Sequence, residues 1–326
     1  MTRHRIVVLG LVAVVLVITL PGLVLTISGR DDLAGMTAMA AVAGVLPALM
    51  VGPRMAVVTA VGLGASAAAA VAVTDQPWLA ALLMAAAAGA VGLSSRVSAH
   101  RALATAPITL AFLLAEPPRD LAGDPVAPLV VGAAMLGAAL WAALAVSVLM
   151  RSRHRRETET LSWYRAGAYA VVLAVAVGGA SWFLVDLQLG HGGAWFVMTL
   201  LIVLQPYLKD SWQKTVQRAS GTVIGFVIAL VLYAVLDIPA VLYVIASVLM
   251  LLALVALVVK HRPYWQFVAL LTPAIVLLEG GSGSVVDTAL ARLGFTLLGV
   301  AVAVAIELAA VPILRSVARR HPADHA

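Results

Sequence analysis

Long apolar runs, separated by short polar segments, recur along the whole chain. A helix needs about 20 predominantly apolar residues to cross the hydrocarbon core of a bilayer, so such runs are typical of membrane-spanning helices. The runs are continuous rather than alternating, which argues against transmembrane strands. The pattern predicts an all-α polytopic membrane protein with twelve spans, approximately at residues 6–27, 33–51, 55–73, 78–94, 102–115, 127–150, 166–187, 194–208, 219–236, 239–259, 263–278 and 290–314.

The composition supports this class and removes several others. Hydrophobic residues make up 63% of the 326 residues, charged residues make up 11%, and the mean hydropathy is +1.06, whereas a soluble domain carries about 25% charge. Cysteine is absent, which excludes disulfides, thiol catalysis and thiolate metal sites. His191 and His261 are isolated, and no nucleotide-binding or hydrolase motif occurs. We therefore expect no metal, no cofactor and no enzymatic activity.

The basic residues predict which side of the membrane each loop occupies. With a cytoplasmic amino terminus, 18 of the 21 basic residues fall on the cytoplasmic side, as the positive-inside rule requires. This predicts a multi-pass protein of the cell (inner) membrane with both termini in the cytoplasm. The net charge of +6 then reflects topology and not nucleic-acid binding. The basic run 151–160 is interpreted as a solvated linker, with an anionic-lipid or partner site as the alternative.

The carboxy-terminal half contains an internal repeat. Three residue types recur at an offset of 74 positions, in the pairs Arg218 and Arg292, Thr222 and Thr296, and Gly225 and Gly299. Each copy holds three spans, an odd number, so the two copies are predicted to be inverted repeats. The first six spans resemble a degenerate copy of the whole arrangement. The predicted parts are a six-span block at 1–150, a linker at 151–165, a second six-span block at 166–315 and a basic tail at 316–326.

Prolines occupy the middle span of every group of three. They are Pro47, Pro107, Pro206 and Pro273. Proline removes a backbone donor and disrupts the preceding turn, and interrupted segments at matching places in repeats indicate a transport site. We predict helix breaks at Pro206 and Pro273, and a short polar loop between Pro206 and Arg218.

The motifs around this repeat resemble a known family. The run WFVMTLLIVLQP from Trp195, followed by QRASGTVIG from Gln217, resembles the signature of the fusaric-acid-resistance-like (FUSC-like) superfamily. This group includes bacterial aromatic carboxylic acid exporters and the aluminium-activated malate transporters. The similarity covers about residues 160–315. It implies export or conduction of organic anions through a six-span unit that pairs with another unit, either the amino-terminal block or a second copy of the chain.

Two arginines are the main candidates for substrate binding. Arg292 lies outside, against the charge rule, although it has Asp287 and Glu279 as possible partners; Arg218 lies inside, where topology alone would explain it. A permanent cation that can bind a carboxylate in a bidentate manner suits an anion path. Further substrate-binding candidates are Thr199, Thr222, Thr296, Trp195 and Trp265, with an interfacial aromatic belt as the alternative for the tryptophans. Three glycines are assigned to close helix packing, namely Gly221, Gly225 and Gly299.

Glu307 is the acidic residue that lies well inside a predicted span. It is interpreted either as a protonatable coupling group or as a neutral acid bonded to a neighbouring helix. The leading hypothesis is a transporter that exports organic, aromatic carboxylates and is driven by the proton gradient. The alternatives are a passive organic-anion channel, a membrane subunit that needs a partner protein and a polytopic membrane enzyme. The expected partners are the lipid bilayer and a small organic anion, for a monomer with an internal pseudo-twofold or a homo-oligomer.

Overall fold

A computed structural model describes residues 3–118, 121, 123–149, 161–236, 238–258, 263–279 and 285–320. Within these ranges every regular element is helical. The helices are α1 Arg3–Ile27, α2 Asp31–Met50, α3 Pro53–Ala72, α4 Pro77–Ser94, α5 His100–Leu103, α6 Thr105–Ala115, α7 Ala127–Leu149, α8 Trp163–Asp186, α9 Gly190–Val203, α10 Leu208–Val235, α11 Pro239–Val258, α12 Tyr264–Glu279 and α13 Val285–Arg320.

Seven helices of the described part are long and apolar enough to cross a membrane, and five shorter apolar helices accompany them. The chain is therefore a polytopic all-α membrane protein. Three features of the sequence analysis fall outside the described residues: the basic run 151–160, His261 and the last six residues of the tail. The side chain of Glu279 is also outside the described part, so its predicted contact with Arg292 stays a prediction.

The chain divides into two compact units, Met1–Leu201 and Ile202–Ala326. In the first unit α3 and α2 pack on α7, and α4 packs on α8. These contacts rely on small residues. A Cβ added at Gly92 would lie 2.3 Å from the Ala170 Cα, and one at Gly44 would lie 2.1 Å from the Ala139 carbonyl oxygen. Small residues let membrane helices approach closely enough for van der Waals packing, which is the main source of their association.

The second unit is built around α10, which packs against α12 and α13, while α11 packs on α12. Helices α10 and α12 meet at a GxxxG segment, Gly221 to Gly225. A Cβ at Gly221 would lie 2.7 Å from the Trp265 carbonyl oxygen, and one at Gly225 would lie 2.6 Å from the Thr272 Cβ. The equivalent carbonyl contact of Gly225 is Ala269, so a step of four residues on α10 matches a step of four in the same direction on α12, and the two helices run parallel.

Two predictions about this region are wrong. The stretch after Pro206 is not a polar loop, because α10 begins at Leu208 and includes Arg218. Its polar residues Ser211 and Thr215 are buried and lie on the same helix face as the buried residues further along α10. A helical conformation therefore keeps both side chains away from the surface.

Pro273 is likewise not a helix break, since α12 continues through it. A proline removes one backbone hydrogen bond, to the carbonyl four residues earlier, here that of Ala269. This carbonyl oxygen lies against Gly225, 3.0 Å from where a Cβ would be. The absence of a side chain there allows α10 to cover the carbonyl, and α12 stays continuous.

Candidate functional site

The break between α9 and α10 lies at the proline that the sequence analysis selects. Helix α9 ends at Val203, and α10 begins two residues after Pro206. Pro206 has no N–H for the Ile202 carbonyl, and the Gln205 side chain donates to that carbonyl instead, at 2.9 Å, and to the Leu204 carbonyl at 3.3 Å. The Ser211 hydroxyl lies 2.6 Å from the Val203 carbonyl oxygen. Backbone groups within a membrane need internal partners, and these two side chains supply them.

The buried face of α10 is a single polar and small-residue stripe. Gly221 is also buried but falls outside the spacing of the others. The members of the stripe recur at intervals of four and three residues, as one face of an α-helix requires: Ser211, Thr215, Arg218, Thr222, Gly225 and Ala229. A stripe with a full cation and three hydroxyl groups is costly inside a membrane, which favours a functional role over simple packing.

Arg218 is the largest fully buried side chain of the described residues, at 1% exposure. Its Nη1 donates to the Tyr264 hydroxyl at 3.2 Å, and the Nε group, which is buried, has no hydrogen-bond partner in the described part of the chain. No carboxylate of the described residues forms an ion pair with it. Lys214 adds a second cation, 4.2 Å above the Tyr264 ring. A buried cation that contacts a neutral phenol is poorly compensated, because buried charges are normally paired.

The buried face of α13 reproduces the α10 stripe position by position. Its members are Val285, Ala289, Arg292, Thr296, Gly299 and Ala303. Each lies 74 residues after one member of the α10 stripe, including positions where the residue types differ. Arg292 is 2% exposed and Thr296 is 1% exposed. The offset of the three sequence pairs therefore extends to six buried positions.

The two stripes meet in an antiparallel arrangement. Near the start of α10, Ser211 contacts Glu307 on α13. Ala229, eighteen residues later on α10, shares a hydrophobic cluster with Ala289, eighteen residues earlier on α13. In this register Thr222 lies at the same level as Thr296. We call this contact of the two stripes the α10–α13 seam.

The seam places the arginines on opposite sides of the threonine level. Arg218 precedes Thr222 by four residues and Arg292 precedes Thr296 by four, and the helices run in opposite directions. At 1.5 Å per residue, each arginine backbone is about 6 Å from that level, and the two are about 12 Å apart along the seam. The site therefore has a polar centre and a guanidinium towards each end.

Two buried threonine hydroxyls of this unit lack hydrogen-bond partners among the described residues, those of Thr272 and Thr296. Other buried threonines donate to the carbonyl four residues earlier, as Thr215 does to Ser211 at 2.9 Å and Thr199 does to Trp195 at 2.8 Å. Along the parallel α10–α12 contact, Thr272 packs against Gly225, one turn beyond the threonine level. Its hydroxyl and that of Thr296, together with the Arg218 Nε group, are donors that an anion would satisfy.

The structure does not bring every candidate into this unit. Thr199 and Trp195 belong to the first compact unit, where both are buried. The Trp195 ring packs edge-on against Phe112, with centroids 4.8 Å apart. Trp265 is half-buried at the start of α12.

Sequence reasoning missed Ser211, Tyr264 as an arginine partner, and Thr272. The signal for Ser211 was available, since counting back from Arg218 in steps of three and four residues reaches Thr215 and then Ser211. Tyr264 and Thr272 depend on which helix packs against α10, and no spacing in the sequence gives that information. Among the described residues no group of three His, Cys, Asp or Glu side chains is placed to hold a metal ion.

Comparison with known proteins finds a family that part of the chain resembles. Residues 180–306 match the family described as fusaric acid resistance protein-like. The matched segment includes both arginines, both seam threonines and the α9–α10 break, and it ends one residue before Glu307. No curated protein and no solved structure matches the chain. The family match and the apolar helices together indicate a membrane transporter.

Proposed function

We propose that the chain is an inner-membrane transporter that exports organic, aromatic carboxylate anions with the proton gradient as its driving force. Both termini lie in the cytoplasm, and the substrate passes along the α10–α13 seam. Arg218 receives the anion from the cytoplasmic side, Arg292 lies towards the outer side, and Thr222 and Thr296 contribute hydroxyl groups between them. Trp265 is a stacking surface for an aromatic ring.

This proposal rests on one observation: the buried positive charge of Arg218 has no counter-charge among the described residues. A charged residue at the centre of a membrane helix costs about 2.5–3.5 kcal/mol on insertion scales. Arg218 is fully buried, contacts a neutral phenol, and has a guanidinium N–H without an acceptor among the described residues. A carboxylate accepts charge-assisted hydrogen bonds from a guanidinium in a bidentate geometry, so a carboxylate substrate supplies the missing counter-charge.

Two observations favour the proposed span count and repeat. The seven long and five shorter apolar helices fall at the twelve predicted spans. The buried stripes of α10 and α13 match at six positions with one offset, and their antiparallel register puts Thr222 and its repeat equivalent Thr296 at one level. Residues related by an inverted repeat meet in this way at a pseudo-twofold axis in the membrane plane. We accordingly propose two six-span blocks, each of two inverted three-helix repeats.

Transport by purified protein tests the proposal directly. Uptake of labelled benzoate into proteoliposomes is measured with and without a proton gradient, for wild type and for Arg292→Ala. Arg292 is the more informative arginine because its predicted outer position has no topological explanation. The proposal expects gradient-dependent flux that falls by more than about tenfold in the variant, since a hydrogen bond to a charged group contributes about 1.5–3 kcal/mol.

The same experiment separates the alternatives. A passive channel passes benzoate through the wild type equally well without a gradient. Absence of flux in monodisperse, fully inserted wild type would refute the substrate class. A protein that transports only in native membranes, and loses a stoichiometric companion on purification, is instead a subunit of a larger transporter.

A further inference from the structure

Ser211 makes three hydrogen-bond contacts that its single proton cannot serve unless a neighbour is protonated. Its Oγ accepts from the Gln205 backbone N–H at 3.3 Å and lies 2.6 Å from the Val203 carbonyl oxygen. The third contact is to Glu307 Oε1. A serine hydroxyl has one proton and two lone pairs. The Val203 carbonyl can only accept, so the hydroxyl proton is directed there, and one lone pair receives the Gln205 N–H.

The remaining lone pair of Ser211 faces the Glu307 carboxyl oxygen. An ionised carboxylate has only lone pairs to offer, and two acceptor oxygens in contact repel each other. A neutral carboxylic acid has an O–H that donates to Ser211 and completes the set. All three contacts of Ser211 are then hydrogen bonds, and a satisfied network of this kind is rigid.

We propose that Glu307 is protonated in this conformation and that its proton fastens α13 to the α9–α10 break, as a latch on the α10–α13 seam. We use the name latch for the group of Ser211, Glu307, Val203 and Gln205. When Glu307 releases its proton to water, Ser211 can bond the carboxylate or the Val203 carbonyl but not both. If Ser211 bonds the carboxylate, the Val203 carbonyl loses its donor; if it bonds the carbonyl, its lone pairs face the carboxylate and the two separate. In both cases the link from α13 through Ser211 to the α9–α10 break is interrupted.

The position of the latch ties it to the anion path. In the antiparallel register Ser211 and Glu307 lie eleven residues from the Thr222–Thr296 level, about 16 Å along the helices. Ser211 lies on the same α10 stripe as Arg218, which follows it by seven residues, or two turns. The latch therefore closes the end of the seam that the proposed topology places at the cytoplasm, and its role in transport rests on that proposed function.

Other charged groups surround the latch. On α10, Asp210 precedes Ser211 and Lys214 follows it by three residues, with Arg218 one turn further along. On α12, Tyr264 contacts both Lys214 and Arg218. The last five residues of α9, Thr199 to Val203, include no titratable side chain. The two groups nearest in sequence, Asp210 and Lys214, have opposite charges, and the inference rests on the hydrogen-bond count at Ser211.

The test measures how accessible the α10–α13 seam is to a water-soluble reagent, and it does not require a transported substrate. The chain has no cysteine, so Ala303→Cys, at a fully buried position one turn from Glu307, gives a unique thiol on the seam. Its reaction with a polar maleimide is followed from pH 5 to pH 9 in proteoliposomes, in the wild-type, Glu307→Gln and Ser211→Ala backgrounds. Rates are compared as ratios at each pH, because ionisation of the thiol itself then cancels.

Glu307→Gln is a permanent mimic of the protonated acid, since its amide can donate to Ser211. We expect reactivity in the wild-type background to rise above that of Glu307→Gln by about fivefold at high pH, the effect of losing one hydrogen bond, and to equal it at low pH. In the Ser211→Ala background the thiol should react rapidly at every pH, because the latch cannot form. A constant ratio of wild type to Glu307→Gln across the whole range would refute the latch, as would low reactivity of correctly inserted Ser211→Ala.

These results are independent of benzoate flux. A pH-dependent ratio with no benzoate flux keeps the latch and refutes the substrate assignment. Gradient-driven flux with a constant ratio refutes the latch and leaves the transport path in place.

Discussion

Substitution of Gly225 by alanine tests the packing on which the site is built. The added Cβ would lie 2.6 Å from the Thr272 Cβ, 3.0 Å from the Ala269 carbonyl oxygen and 3.0 Å from the Pro273 Cδ. Carbon atoms pack favourably at about 3.5–4.0 Å, so the closest contact is too short by about 1 Å. Two of the three obstacles are a backbone carbonyl and a proline ring, and neither can rotate away.

The cost of this substitution follows from the contact geometry. Helix α10 must move away from α12, and overpacking of this kind typically costs about 1–3 kcal/mol. The gain in helix propensity from glycine to alanine, about 0.8–1 kcal/mol, offsets part of it. Gly294→Ala on α13 is a matched control, because nothing lies within 4 Å of its added Cβ and the propensity gain is the same.

The assay is reversible unfolding in mixed micelles with increasing sodium dodecyl sulfate, followed by circular dichroism. We expect Gly225→Ala to be less stable than Gly294→Ala by about 1–3 kcal/mol, and Gly294→Ala to be as stable as wild type or slightly more so. Equal stability of the two variants would refute the close approach of α10 and α12, and with it the placement of Thr272 beside the seam.

Three further predictions use the same preparations. Gln205→Ala removes the donor to the carbonyls at the helix break and should lower the free energy of unfolding by about 1–3 kcal/mol; unchanged stability would contradict the proposed capping. Thr272→Val should leave stability unchanged or raised, because its hydroxyl has no described partner, yet lower benzoate flux, whereas Thr215→Val should lose stability with its hydrogen bond. Arg218→Lys should retain more flux than Arg218→Ala but less than wild type, since lysine keeps the charge and loses the bidentate geometry; equal flux in both would exclude a charge requirement.

The sequence was sufficient for the membrane class and for most helix positions, because apolar run length is set directly by bilayer thickness. It also singled out the arginines and threonines of the seam, since a repeated cation in an apolar context has few explanations. The carboxy-terminal extent of α9 followed from Pro206, which lacks the N–H that the next turn requires.

The errors arose where tertiary contacts decide local structure. The polar segment before Arg218 resembles a loop by composition, but Ser211 and Thr215 lie on the buried face of α10 and extend the helix. Pro273 resembles Pro206 in sequence context, yet α12 remains continuous because Gly225 of another helix covers the freed carbonyl. Neither outcome can be read from one segment alone.

The hydrogen-bond network at the break was also beyond sequence reasoning. Glu307 was selected as a buried acid, but its partner Ser211 is 96 residues away in the chain. The antiparallel register of α10 and α13 supplies that pairing. In the same register Thr222 lies level with Thr296, the residue that follows it by the repeat offset of 74.

The most direct test of the central claim, that a carboxylate occupies the α10–α13 seam between the two arginines, is protection of a single cysteine at position 296. Thr296→Cys in this cysteine-free chain is reacted with an anionic methanethiosulfonate in proteoliposomes, with and without benzoate. We predict modification in the wild-type background that benzoate slows, and loss of this protection in Arg218→Ala. Modification at a rate that benzoate does not change, in protein that is correctly inserted, would contradict the account.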